Sequence, residues 1–148
     1  MINPDAIEMM SRLEGLPIWG PLVGPWGMTL QFGSRQVVRG DLEEGEFTSW
    51  ARCEIKLSGE GIVYFPRVLP AEPDQGKLSV LIMNSSVIKA AVDEKDTSLR
   101  LLLGENKLLS VYPSPTTLEN CWLLFDHTRK PTVRCIATAK SIEVIPEK

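Results

Sequence analysis

Histidine is almost missing from this chain: His127 stands alone among 148 residues. Imidazole changes charge near neutral pH unaided, so any general base or metal site of the usual kind would have to be built around that one residue. Cysteine is scarce as well, at Cys53, Cys121 and Cys135. They form no CxxC pair and no Cys/His cluster, which leaves zinc without ligands at workable spacing. All three lie in apolar, strand-like runs, the setting of buried and reduced thiols that act as small hydrophobes. No stretch approaches the roughly 20 apolar residues of a membrane span. The opening "MINPDAIEMMSRLEG" lacks the basic and apolar regions of a signal peptide, so a cytoplasmic protein without a membrane role is expected. Positive charge is not in excess either. Sixteen Lys and Arg stand against nineteen Asp and Glu, for a net charge of −3, which argues against a nucleic-acid partner, since phosphates demand a basic face.

What remains is an ordinary globular composition, 43% hydrophobic and 24% charged, in a length that suits one domain, 1–148. A chain of this size buries about 70% of its unfolded surface and needs no staples. Asn3-Pro4-Asp5 reads as a helix start, with a cap, a residue suited to the first turn and a negative charge at the positive end of the dipole. Ile7, Met10 and Leu13 follow at helical spacing, and Gly15 can close the helix. The Pro- and Gly-rich stretch 16–27 reads as an irregular segment whose Trp19 and Trp26 hold it to the core.

From Met28 the period becomes two. Met28, Leu30 and Phe32 alternate with polar residues, and Gly33-Ser34-Arg35 turns the chain into "QVVRG". After the acidic loop "DLEEGE", the stretch "EFTSWARCEIKL" puts Phe47, Ala51, Cys53, Ile55 and Leu57 on one side and Arg52, Glu54 and Lys56 on the other, as in one half-buried strand. "SGEG" then turns into "IVYFP". The stretch 76–84 fits a short helix, with Asp74 as a possible cap, or a buried strand; the helix is the preferred reading. Strands resume with "VIKAAV", "TSLRLLLG", "NKLLSVYP", "ENCWLLFD", "TVRCIAT" and "SIEVIP".

The chain also repeats itself. "LQFGSRQVV" and "LLLGENKLL" align on Gly33 and Gly104. Met28, Leu30 and Phe32 then meet Leu99, Leu101 and Leu103, and with one residue of slack Trp50 meets Trp122. An internal repeat over 28–66 and 99–138 follows. In both Trp-strands the odd positions read as core-facing, Ala51, Cys53 and Ile55 in one and Cys121, Leu123 and Phe125 in the other, which sends Trp50 and Trp122 to the opposite face. Each is there either covered by the first helix or the 16–27 segment, as the rarity of wide apolar patches favours, or exposed as an anchor for a partner.

These residues carry a resemblance. "MTLQFGSRQVVRG" with "SWARCEI", and "LRLLLGENKLLSVYPSP" with "LENCWLLFD", resemble a group of small bacterial proteins of unassigned function whose half-motif is a strand, a Gly turn, L-x-V-[FY] and then E-x-x-W-x-[LF]. Leu109, Val111, Tyr112, Glu119, Trp122 and Leu124 match it best, while the first half lacks the Glu before Trp50. Some members look like toxin-neutralising immunity proteins. The resemblance implies no enzymatic residues.

The search for chemistry returns little. His127 falls in the turn "HTRKP", which reads as solvent-facing, with no partner to orient it as a base requires. Asp41, Glu43, Glu44 and Glu46 could offer oxygens to a hard cation, but the segment does not match the EF-hand spacing, only "DEKD" at 93–96 could close the shell, and a solvated charge run is the plainer reading. "GLPIWGPLVGPWG" lacks the Lys-Ser/Thr of a phosphate loop. The expected fold is therefore α+β, mainly antiparallel sheet, a meander or sandwich of two similar strand-rich halves with one or two short helices. No catalytic residue, metal or cofactor is assigned. The expected function is non-catalytic protein binding, of the immunity kind, with a basic protein such as a toxin held by Asp41, Glu43, Glu44, Glu46, Trp50 and Trp122. The alternative is a ligand-binding or enzymatic domain with a pocket between the halves lined by Trp19, Trp26, Trp50 or Trp122.

Overall fold

The helix start reads out as expected. In the computed structural model Asn3 Oδ1 accepts a hydrogen bond from the Asp5 amide at 2.8 Å, and Pro4 opens helix α1 (Pro4–Leu13). Gly15, at φ +87°, takes the chain out of it. The structure describes residues 3–24, 27–39, 42–52, 54–58, 62–64, 79–83, 85–104, 107–112, 121–138 and 141–146. Trp26, Asp41, Cys53, Asp74 and Glu119, named above, lie outside them. α1 buries Ala6, Met9, Met10 and Leu13. Ile7, expected on that face, points to solvent instead.

All strand pairs are antiparallel, so the fold is α+β and sheet-rich. One six-stranded sheet has the order β1 (Ile18–Gly24), β2 (Gly27–Phe32), β5 (Phe47–Ala51), β11 (Trp122–Asp126), β12 (Val133–Ala137) and β13 (Ile142–Pro146). A five-stranded sheet has the order β7 (Ile62–Tyr64), β6 (Ile55–Ser58), β10 (Lys107–Val111), β9 (Leu99–Leu103) and β8 (Val87–Val92). A separate pair, β3 (Gln36–Arg39) and β4 (Leu42–Glu44), forms a two-stranded arm. Residues 79–82 are helical and are called α2. Buried side chains of both large sheets and of α1 belong to one core, among them Leu30, Phe32, Phe47, Leu57, Leu101, Leu109, Trp122 and Leu124.

Four readings of the sequence are corrected here. The stretch 16–27 is not irregular: it holds β1, an edge strand, where Pro21 removes no ladder bond that the sheet needs, with a register break between Trp19 and Leu22. "DLEEGE" is not a free loop, because 42–44 is the return strand of the arm. "QVVRG" does not pair with the strand before it; β2 pairs with β5 and the arm stands between them. "EFTSWARCEIKL" is two strands, since the chain leaves the six-stranded sheet after Ala51 and joins the five-stranded one at Ile55.

The pairing registers relate the two sheets. Across the six-stranded sheet Met28, Ala51, Trp122 and Ala137 lie in one row. Across the five-stranded sheet Leu99, Val111, Ile55 and Tyr64 lie in the corresponding row. So β1, β2, β5, β6 and β7 hold the same places as β8, β9, β10, β11 and β12, with one helix ahead of each set. Where the two sets meet, Pro17 bridges its own counterpart Ser86. The Ile18 amide donates to Ser85 O at 2.7 Å, and its image bond runs from the Val87 amide to Leu16 O at 3.0 Å. Met28, Leu30 and Phe32 correspond to Leu99, Leu101 and Leu103, and Gly33 to Gly104, as the sequence aligned them. The two tryptophans do not correspond: Trp122 matches Ile55, and Trp50 matches Ser110. The arm, which lengthens the first half between β2 and β5, displaced the alignment by one strand.

The two matched glycines are not equivalent in duty. Gly33 has φ +84°, and a Cβ there would lie 2.1 Å from Glu46 Oε2. Gly104 has no atom within 4 Å of an added Cβ. Gly33→Ala is therefore expected to destabilise the fold by about 1–3 kcal/mol, from the left-handed backbone and the contact together. Gly104→Ala is expected to be neutral or to stabilise by up to about 1 kcal/mol through the unfolded chain. Urea denaturation of the two variants checks both.

Candidate functional site

The outward face of the six-stranded sheet is where the described side chains with chemistry gather. Alternation sends Phe32, Phe47, Ala51, Leu124 and Cys135 inward, and their neighbours outward. One outward row runs Trp19, Gln31, Thr48, Phe125, Arg134 and Ile145; the next runs Leu22, Thr29, Trp50, Leu123, Ile136 and Glu143. Trp19, Phe125, Ile145, Leu22, Trp50, Leu123 and Ile136 make seven apolar positions among these twelve. An outward sheet face is usually polar.

At the end of the first row lies a polar cluster held together by the arm. Glu44, on β4, places Oε2 2.5 Å from His127 Nε2. Thr48 Oγ1 lies 2.9 Å from the same nitrogen and donates to Gln31 Oε1 at 2.7 Å. Gln31 Oε1 also accepts from the Gly45 amide at 2.9 Å. The His127 ring stacks on Phe125, with centroids 6.2 Å apart. His127 is thus no solvent-facing turn residue; its side chain is only 13% exposed. A carboxylate does orient it, but one that lies 83 residues upstream in number and reaches it through the arm, which no local spacing signals. The Glu44 carboxylate and the Thr48 hydroxyl both approach Nε2. A nucleophile triad needs them on opposite ring nitrogens, so that the free Nε2 can take the hydroxyl proton. The cluster is a strut between the arm and β11.

A second cluster ties α1 to the same strand. Asp126 is fully buried at the inward end of β11, accepts from Arg12 Nη1 at 2.6 Å and from the Thr128 amide at 3.0 Å, and pairs with Arg129, whose Nε lies 3.4 Å away. A buried carboxylate stripped of such partners costs about 3–5 kcal/mol, so the cluster is structural. Neither it nor the first is a metal centre by composition: among the described residues no three or more His, Cys, Asp or Glu side chains gather.

The predicted partner-binding residues separate on this frame. Glu43 is exposed, 3.8 Å from Arg35. Glu44 is held by His127. Glu46, half-buried, lies over Gly33, and its Oε2 accepts from the Ser34 amide at 2.9 Å. Trp50 faces outward, half-buried, with the Arg52 guanidinium 5.0 Å from its ring centroid. Trp122 is corrected: it lies in the core at 0% exposure, its Nε1–H donating to Thr97 O at 2.8 Å. The run "WLLF" is apolar on both sides, so its parity could not be read, and the inward set is Trp122, Leu124 and Asp126 instead of Cys121, Leu123 and Phe125. Cys121 is nonetheless buried just ahead of β11. Trp122 faces inward while Trp19 and Trp50 face outward, so Trp122 does not share a lining with those two. Cys121 and Cys135 are both buried, and burial pushes the Cys135 thiol up to about 12.

Two buried donors on the outward face, the Trp50 indole N–H and the Arg134 Nε–H, have no acceptor among the described residues. Comparison of the chain with family models, with curated proteins and with solved structures gives no match.

Truncation separates the two tryptophans. Trp122→Ala is expected to cost about 3–5 kcal/mol of stability, the range of a fully buried aromatic. Trp50→Ala is expected to cost about 1 kcal/mol, mainly its packing and its contact with Arg52. Thermal unfolding of both variants measures the difference, and equal costs would contradict the placement.

Proposed function

We propose that this chain is a non-catalytic protein-binding domain whose binding surface is the outward face of the six-stranded sheet. The composition of that face carries the reading: seven apolar side chains in two adjacent rows, Leu22 exposed, Trp19, Trp50, Phe125, Ile136 and Ile145 half-buried and Leu123 buried, with Trp50 and Arg134 offering donors that lack acceptors among the described residues. Contiguous apolar surface of this kind marks interaction sites, and Trp and Arg are the residues in which interface energy concentrates. The single histidine is engaged at one nitrogen by both of its partners, which supports binding over acid–base catalysis.

The narrower form, neutralisation of a basic toxin, is implied by the family resemblance. Its charge argument rests on Glu43 among the described carboxylates of the patch, since Glu44 and Glu46 are spent inside the fold.

A photo-crosslinking residue placed at position 136, on this face, is expected to yield one defined adduct in cells of the organism of origin. The same residue at position 56, exposed on the other sheet, is expected to yield none, and Arg134→Glu is expected to remove the adduct at 136. Equal labelling at both positions would sink the reading. Glu43→Lys is expected to reduce the yield, more strongly at low salt, if the partner is basic; an unchanged yield removes the basic partner.

A further inference from the structure

The outer edge of β8 is paired at one end and then abandoned. β8 ends the five-stranded sheet, and beyond the bridge of Ser86 with Pro17 its far side meets no strand among the described residues. At Val87 the chain's own backbone holds that edge. The Gly15 amide donates to Val87 O at 2.7 Å, and the Val87 amide donates to Leu16 O at 3.0 Å. The ladder on the other side fixes which groups come next. Val87 lies opposite Leu103, and after the register shift Ala90 and Val92 lie opposite Leu101 and Leu99. Those three leucines share one parity of β9, so Val87, Ala90 and Val92 all turn their backbone N–H and C=O away from it.

The chain itself does not continue the pairing, because ahead of Gly15 it is wound into α1. Glu14, the C-cap of that helix, offers a side chain where a strand would offer a carbonyl: its Oε2 accepts from the Ala90 amide at 3.3 Å. That bond is long and Glu14 is exposed, so little holds the carboxylate in place. Between α1 and this edge runs a groove of about 290 Å³, with Ile7, Met10 and Glu14 on the helix side, Ala90 and Val92 on the strand side, and Glu94 just after β8. Ile7 is 57% exposed there. The charged groups among the described residues of the lining are two carboxylates, Glu14 and Glu94.

We propose that the edge of β8 from Ala90 to Val92 receives an extended, basic segment of a partner protein, which continues the antiparallel pairing begun by residues 15–17 and displaces Glu14 from the Ala90 amide. The backbone groups call for main chain, since an open edge is a template for a further strand. Its residues opposite Ala90 and Val92 point between α1 and the sheet, where Ile7 and Met10 favour apolar side chains. The two carboxylates favour Lys or Arg at the flanking positions. Main-chain bonds then give affinity, and the alternate side chains give selectivity. The site uses the free edge of the other sheet and no residue of the face proposed above, so either can fail alone.

The blocked peptide acetyl-Lys-Val-Thr-Val-Lys-amide is the probe, followed by amide-resolved NMR of the full chain. The Ala90 and Val92 amide signals are expected to move in a saturable way, and the Val92 amide is expected to exchange more slowly with deuterium. The same peptide N-methylated at both valines keeps its charge and side chains but loses the strand donors. It is expected to bind at least about tenfold more weakly, the scale of two lost hydrogen bonds. Acetyl-Glu-Val-Thr-Val-Glu-amide is expected to leave the two amides in place. Ile7→Lys, an exposed change that sets a cation in the groove wall, is expected to weaken the basic peptide about fivefold, less at high salt. No movement of the two amides up to the solubility limit, equal affinity for the N-methylated or the acidic peptide, or unchanged binding in Ile7→Lys would each overturn the proposal. So would movement of the same amides on raising the protein concentration alone, which assigns the edge to a second copy of this chain.

Discussion

Everything on the six-stranded sheet depends on which way Trp122 points. It is the largest fully buried side chain among the described residues, and its neighbours across the ladder on both sides are alanines, Ala51 and Ala137. Small residues on the flanking strands leave the indole its room, so a core packed without voids accepts it there and nowhere beside it. Its N–H reaches Thr97 O in the turn between β8 and β9, and so links the two sheets. Thr97 itself is buried with φ +58°, an uncommon backbone state for a β-branched residue, and its hydroxyl donates to Thr138 O at 2.7 Å. One inward side chain therefore fixes the stagger of the sheets and a strained turn together.

The parity of β11 then dictates the rest. With Trp122 inward, Leu124 and Asp126 are inward too. Asp126 arrives at the sheet end where Arg12 of α1 can meet it, which docks the helix. Leu123 and Phe125 are forced to the outward side beside Trp50 and Ile136, Leu123 buried there and Phe125 half-buried. The outward Phe125 in turn supports the His127 ring, and His127 holds the arm through Glu44. An acidic chain thus uses its carboxylates at Glu44, Glu46 and Asp126 as internal fastenings, and what it shows on this face is aromatic, aliphatic and cationic.

Much of the fold was legible because local chemistry and tertiary structure agreed. Asn3-Pro4-Asp5 caps a helix in isolation as it does here, and the alternation of Phe47, Ala51, Ile55 and Leu57 with charged residues kept the parity of Trp50 correct even across the jump between sheets. The match of Gly33 with Gly104 was legible because the turn follows the same strand in both halves. What could not be read lacked a local signal. "WLLF" has no polar residue to mark a side until Asp126, which is polar and yet inward. β1 contains Pro21 and two glycines, Gly20 and Gly24, whose breaker signals an edge strand tolerates. The contact of Glu44 with His127 exists only through the arm.

The inward orientation of Trp122 is open to direct measurement. The account predicts nuclear Overhauser contacts from the Trp122 indole ring to the methyls of both Ala51 and Ala137, together with an indole N–H that exchanges with deuterium only as slowly as the fold opens globally. An indole N–H of Trp122 that exchanges within seconds, or ring contacts to Trp50 and Ile136 in place of the two alanines, would place this side chain on the outward face and contradict the account.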